Sequence, residues 1–494
     1  MSEFLAGLST APSRRHRTNH VTDEEYDRQL KDLIAYLKQP NFVPPNTNIC
    51  EYLEAINPAI HSVSFLYLLR FEIHQVQKRT KRNTPDDLLP GGTLWKQAVR
   101  FLRSFDPVQV RYAGHEWRQL VELVASAADA VSRPVLAVTV IRDALKQLDS
   151  YGTFISLHLI LVKLALATAS YTHALPIMDK LIYQFPADTE QAHSEVFRCS
   201  EHTQTAAFFT DTSGFSAKLT YRDHLLFFLY SAMIYMTLKK WDQASHCLCV
   251  VISSPTTNSV SKIMVEAYKK LLLVNLLGYG KRLPTPKLVA PHVNRIYQSL
   301  ARPYTSLAES FEAGDLQKMS AEIDLGQPIW RTDNNFGLVS QLPHAYDKFM
   351  IIKLGKTFSA LAILDVLKRA PSCTKNPTDI EEFVSSLIMS NELGATLSQS
   401  SIGESTTKLR FSLRTQRPTS QEEYVRARLI RGRSALNIIA EGIAQTDHAL
   451  ELSHENLHFL VKNQRWSSNS EKPGTLGLNE DGGDIDEDLM GEGN

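Results

Sequence analysis

Residues 420–464 read SQEEYVRARLIRGRSALNIIAEGIAQTDHALELSHENLHFLVKNQ. No proline interrupts them. Leu429, Leu436, Ile443, Leu450 and Leu457 recur every seven positions, with Ile439 and Leu460 three positions after two of them. A stripe that narrow follows the a and d positions of a heptad and is closed by partner helices. Amphipathic helices also bury such stripes on their own domain. The terminal position of this one favours partners, and the seven residues are the candidate partner interface.

Upstream, helical periodicity at about 344–354, 359–369 and 378–391 gives way to two short alternating runs, Ala395 to Gln399 and Lys408 to Leu413. In the second run Leu409, Phe411 and Leu413 alternate with Lys408, Arg410 and Ser412, the period of a half-buried strand. Three helices followed by a hairpin of this size spell a winged helix. Such folds often read DNA, but Thr378 to Glu392 carries Asp379, Glu381, Glu382 and Glu392 with no Lys or Arg. Phosphate contact requires cations that displace condensed counterions. The sequence therefore argues against direct nucleic-acid binding. Lys408, Arg410 and Arg414 on the wing read as its solvent face.

The rest of the chain is helical. Periodicity predicts helices at 21–38, 50–78, 94–104, 115–131, 134–149, 154–169 and 172–184, with strand patterns almost absent before residue 395. Tyr171-x-x-Ala174 and Trp241-x-x-Ala244 each open a second apolar helix, the small residue one turn on allowing close packing. Their 70-residue offset is about two helical-hairpin repeats of roughly 34 residues. The expected architecture is mainly α: a right-handed α-solenoid of TPR-like helical repeats, then a winged helix and a long C-terminal helix. Residues 186–220, rich in Ser, Thr, Asp and Gly, read as an exposed insertion or a long connection. Residues 1–20 and the tail, with eight acidic residues against one Lys from Glu471 to Asn494, read as disordered.

At 494 residues the chain should hold two to four structural units. Its 53 basic and 53 acidic residues balance, so no global field draws it to nucleic acid or membrane. Cys50, Cys199, Cys247, Cys249 and Cys373 are scattered and odd in number, which fits reduced, core-filling thiols inside the cell. The start lacks a signal-peptide apolar block, and no window offers about eighteen uninterrupted apolar residues. A soluble chain in cytoplasm and nucleus is expected. Arg14, Arg15 and Arg17 read either as part of an import signal or as a solvated leader.

Four stretches, MIYMTLKKWDQA (233–244), SKIMVEAYKKLLLVNLLGYGK (261–281), ARPYTSLAESFEAGDLQKM (301–319) and RTDNNFGLV (331–339), resemble the PCI-domain family and within it the subunits of the COP9 signalosome. The resemblance implies six regions: a leader (1–20), N-terminal helical repeats (21–205), the helical-repeat part of a PCI domain (206–342), its winged-helix part (343–416), a bundle helix (420–464) and an acidic tail (465–494). It also implies a scaffold subunit, without cofactor, of a multi-protein complex that removes NEDD8 from cullins, the chemistry lying in another chain. The proteasome lid and translation initiation factor 3 share the architecture, so a scaffold subunit of either is the alternative.

A catalytic reading rests on His454-Glu455-Asn456-Leu457-His458, an H-E-x-x-H run. Two His one helical turn apart can hold zinc while Glu455 activates water. A zinc peptidase would still require a third protein ligand, and the 36 residues beyond His458 are mostly polar and acidic, offering flexible carboxylates such as Glu471. Gly355-Lys356-Thr357 lacks the first glycine and preceding strand of a phosphate loop, Met350 standing at the glycine position. His246, Cys247 and Cys249 lack a second ligand pair, and no H-x-H occurs.

Overall fold

The computed structural model describes residues 7–13, 22–39, 42–44, 49–82, 84–148, 152–180, 182–186, 197–200, 209–255, 260–369, 377–390, 392–399, 407–411, 418–451, 456, 458–459 and 461–462. They fall in two units, Met1–Leu413 and Arg414–Asn494.

The first unit opens with α1 (Asp23–Leu37), α2 (Ile49–Ala55), α3 (Ser62–Thr80), α4 (Thr93–Ser104), α5 (Pro107–Val110), α6 (Gly114–Ala130) and α7 (Pro134–Leu148). The helix expected over 50–78 is thus two. Asn57 closes an Asx turn by accepting the Ala59 N–H at 3.0 Å, and Pro58 has no N–H to continue the ladder. Next come β1 (Gly152–Thr153), α8 (Ser156–Ala167), α9 (Tyr171–Met178) and β2 (Ile182–Gln184). The helix expected to reach 184 stops at Met178, and β2 instead pairs in parallel with β1.

Pairs of helices continue through α10 (Tyr221–Thr237), α11 (Trp241–Ser253), α12 (Lys262–Tyr279), α13 (Pro291–Leu300), α14 (Arg302–Ala313), α15 (Leu316–Leu325), α16 (Gln327–Thr332) and α17 (Phe336–Val339). A recurring turn joins them. Ser132, Ala169, Lys239, Gly314 and Asn334 all take the left-handed conformation. In each case the next N–H reaches back five residues, as Arg133 to Ala128, Ser170 to Ala165 and Lys240 to Tyr235 do at 2.9–3.0 Å. This is the Schellman closure of a helix end. It gives the solenoid of helical pairs a physical repeat that residue identity conceals, because only one of the five turns uses glycine.

The aromatic-plus-Ala pairs sit just after two of those turns, with Ala174 and Ala244 fully buried. Trp241 lies so close to α12 that a Cβ on Gly278 would be 2.7 Å from its own Cβ. Gly278→Ala should therefore lower stability by about 1–2 kcal/mol, overpacking outweighing the gain in helix propensity. Urea denaturation would show it as a lower midpoint with an unchanged slope.

A leader expected to be disordered and a segment expected to be exposed both contain docked residues. In the leader, Leu8 and Ala11 are buried, with Ser64 Oγ donating to Leu8 O at 2.7 Å and Gln109 Nε2 to Ala11 O at 3.1 Å. The low apolar content of residues 1–20 concealed that Leu8 and Ala11 are buried and that their carbonyls accept from side chains of α3 and α5. In the presumed insertion, Phe215 meets Trp117 edge-on at 5.7 Å and Phe209 packs on Phe215 at 4.8 Å. Arg111 Nη1 donates to the Arg198 and Ser200 carbonyls at 2.8 and 3.0 Å, and Ser200 Oγ to Asp23 at 2.7 Å. The segment carries buried anchors within its polar composition.

Beside β1, His158 is buried among Phe154 and Phe227, its Nδ1 accepting the Ile155 N–H at 3.1 Å. Burial holds its pKa down to about 4. The folded value lies below the unfolded value of about 6.5. The neutral ring therefore contributes fully above pH 6.5, and stability falls as the pH drops from 6.5 to 4, by about 3 kcal/mol in all. Chemical denaturation of wild type and His158→Phe across that window should show the loss in wild type and a flatter dependence in the variant.

The first unit ends in α18 (Leu342–Thr357), β3 (Ala360–Ala362), α19 (Ile363–Arg369), α20 (Pro377–Met389), β4 (Ala395–Gln399) and β5 (Thr407–Phe411). The antiparallel sheet runs β3-β5-β4. The start of the helix expected at 359–369 is thus a third strand. Three residues are too few for period-two alternation to register against the helical pattern that follows them. A separate core of Ile351, Val366, Val384 and Leu409 closes this winged helix. The second unit is described mainly by α21, a 34-residue helix spanning Pro418–Glu451.

Candidate partner interface

Proline at its first position and the absence of proline thereafter let α21 run about 51 Å at 1.5 Å per residue. Leu429, Leu436, Ile443 and Leu450 are 68, 68, 56 and 58 % exposed, and Ile439 is 38 % exposed. Side chains of this size are rarely left in water as a regular row. Five of the seven stripe residues are therefore set on one continuous helix, while Leu457 and Leu460 lie outside the described residues. A straight helix drifts about 20° per heptad, so a row held over the three heptads from Leu429 to Leu450 has the spacing of a supercoiled seam.

The winged helix has the charge pattern expected of it. α20 presents Glu381 and Glu382, and no cation occurs along it. Glu392 just beyond it binds Lys348 of α18 at 2.9 Å. On β5, Lys408 and Arg410 face outward while Leu409 and Phe411 are buried. Gly355 lets α18 approach the sheet, since a Cβ there would come within 2.7 Å of the Phe411 ring. Gly355-Lys356-Thr357 is thus the last turn of a packed helix. Among the described residues β3 and β4 are the two edges of the sheet, the positions at which a sheet can accept a further strand.

The stretch 331–339, polar without evident cause in the sequence, closes a buried network. Asn334 takes the left-handed turn position. Asn335, wholly buried, accepts from Lys270 Nζ at 2.9 Å and donates to Tyr304 Oη at 2.8 Å. Asp333 accepts from Lys269 Nζ and Tyr304 Oη, both at 2.8 Å. These bonds tie α12 and α14 to the turn that leads into the winged helix. Burial, with Asp333 close by, raises the Tyr304 phenol well above its ordinary value, so it stays protonated and able to donate. Sequence reasoning missed this site because its partners lie up to 65 residues apart.

No group of three or more metal-ligating side chains occurs among the described residues. His454 and Glu455 lie outside them, and His458 is exposed. Cys247 is buried, and burial pushes its thiol up to about 12, which disfavours the thiolate that zinc requires. Cys199 is also buried, Cys50 is exposed and so is not the core filler expected, and Cys373 lies outside the described residues. Metal analysis of the isolated chain should give well under one zinc per molecule. Stoichiometric zinc that disappears in His454→Ala/His458→Ala would reinstate the peptidase reading. No described helix is long and apolar enough to cross a membrane.

Helical repeats leading into a winged helix, followed by a long terminal helix, are the architecture of the PCI-domain class. The family model for the COP9 signalosome complex subunit 3 N-terminal helical repeats matches residues 27–293. The chain is 61 % identical over 495 aligned positions to COP9 signalosome complex subunit 3 of Emericella nidulans, covering all of both chains. It is 26 % identical to the proteins of the same name from Dictyostelium discoideum, over 75 % of this chain and 79 % of that one, and Drosophila melanogaster, over 70 and 73 %. The chain belongs to the COP9 signalosome subunit 3 family.

Proposed function

We propose that this chain is a non-catalytic scaffold subunit of a COP9 signalosome, acting in the removal of NEDD8 from cullins of cullin-RING ubiquitin ligases while another subunit carries out the cleavage. The observation that carries this reading is the exposed heptad on α21: a row of large aliphatic side chains with the geometry of a helical bundle and no chemistry of its own. The edge strands of the winged helix supply a second contact by strand addition to neighbouring winged helices. Its partners are proteins, with no direct part for nucleic acid or membrane. We place the chain in cytoplasm and nucleus, with the run around Arg14, Arg15 and Arg17 as the segment to delete in testing import.

The test is affinity purification of the tagged chain from its own cells beside a version lacking residues 420–494, with mass spectrometry of what copurifies. Signalosome subunits with the full chain, and their loss on truncation, would support the reading. Subunits of the proteasome lid or of translation initiation factor 3 would move the chain to a sister assembly, and recovery of the chain alone would refute the assembly role.

A further inference from the structure

The C-terminal end of α3 runs past the core that the rest of the helix serves. Its last buried residue is Ile73, and no side chain from His74 to Thr80 is buried. The helix ends in Lys78-Arg79-Thr80-Lys81-Arg82, four cations in five residues, all exposed. Among the described residues Arg82 meets Asp86 at 3.7 Å with both side chains mostly in solvent, a pairing that contributes little. Lys78, Arg79 and Lys81 make no ion pair there. One or two cations would answer the negative end of the helix, whereas four in a row repel one another. Lys81 also holds the left-handed turn position, at φ 54°, which glycine fills at less cost. The fold gains little from this run, and its charge is directed outward.

We propose that residues 78–82 are a nuclear import signal. The partner is an acidic groove lined by aromatic rings, which holds the cation heads by charge and cation–π contact and their apolar stems by stacking, the chemistry with which import receptors take short basic runs. The proposal rests on the nuclear placement given above and assigns the signal to the repeats instead of Arg14, Arg15 and Arg17. Such a groove takes extended chain. Lys81 and Arg82 already lie outside the helix, and freeing Lys78–Thr80 opens one terminal turn that buries no side chain, its Thr80 Oγ bond to Val76 O at 2.8 Å being exposed.

The purified full-length chain should bind a purified import receptor of the basic-run class saturably. Lys78→Ala/Arg79→Ala/Lys81→Ala should weaken that binding at least tenfold with an unchanged urea midpoint. Lys78→Arg/Lys81→Arg, which keeps the charge, should bind within about threefold of wild type, and so should Arg14→Ala/Arg15→Ala/Arg17→Ala. If the alanine variant loses its helical circular dichroism, Lys78→Gln/Lys81→Gln takes its place with the same expectation. No binding by wild type, or equal binding by the charge-removed variant, would overturn the signal. Wild-type chain found in nuclei without receptor binding would refute the signal alone and leave the placement standing.

Discussion

Aspartate at Leu436, Ile443 and Leu450 together should release the chain from its complex while the helical repeats keep their melting behaviour. All three side chains are more than half exposed in the free chain, so the substitutions bury no charge before assembly. In an assembled bundle each aspartate would lie in a desolvated seam, at a penalty of several kcal/mol per unpaired charge. Three such penalties exceed what the polar rim of an interface returns. Recovery of partner subunits on the tagged triple variant should fall at least a hundredfold, with circular dichroism and urea midpoint unchanged. Undiminished recovery would show that the stripe is not the assembly face.

Asn335→Ala should be among the most destabilising single changes outside the aromatic core. Lys270 is buried, and its ammonium has two partners, Asn335 at 2.9 Å and the partly exposed Glu266 at 2.9 Å. Removing Asn335 leaves the buried cation short of a partner and takes a donor from Tyr304, a loss of about 2–4 kcal/mol. The informative comparison is Lys270→Met/Asn335→Leu, which removes the cation together with its acceptor. Its stability should recover most of the loss, because replacing both members of a buried polar pair by apolar groups is often close to neutral. A double variant as unstable as the single one would place the cost in packing instead. The urea midpoint of the Met1–Leu413 unit is the quantity to follow.

Helices were legible wherever an apolar face repeats at 3.6 residues, as in Gly114–Ala130 and Pro134–Leu148, because that face is what the core buries. The hairpin of the wing was legible from the alternation at Leu409 and Phe411. What escaped was decided by few residues or distant ones. β3 has three residues, the break at Asn57-Pro58 rests on one Asx turn, and the docked leader buries Leu8 and Ala11. On α21, the spacing of Leu429, Leu436, Ile443 and Leu450 was read directly, since a row along one helix depends on that helix alone. The Asn335 latch was not, since its meaning lies in Lys270 and Tyr304 on other helices.

Only residues 412–417 separate the wing strand β5 from α21. On the scaffold reading proposed above, the wing edge and α21 are two binding elements joined by a short segment, and such pairs raise each other's effective concentration, to the millimolar range for short linkers, so that their combined avidity can exceed either affinity by 10²–10⁴. Neither the wing edge nor the helix then has to be tight alone. A chain weakened at one element would still join its partners at high concentration and leave them on dilution, so the dose at which subunits are expressed would govern how damage to either element is expressed.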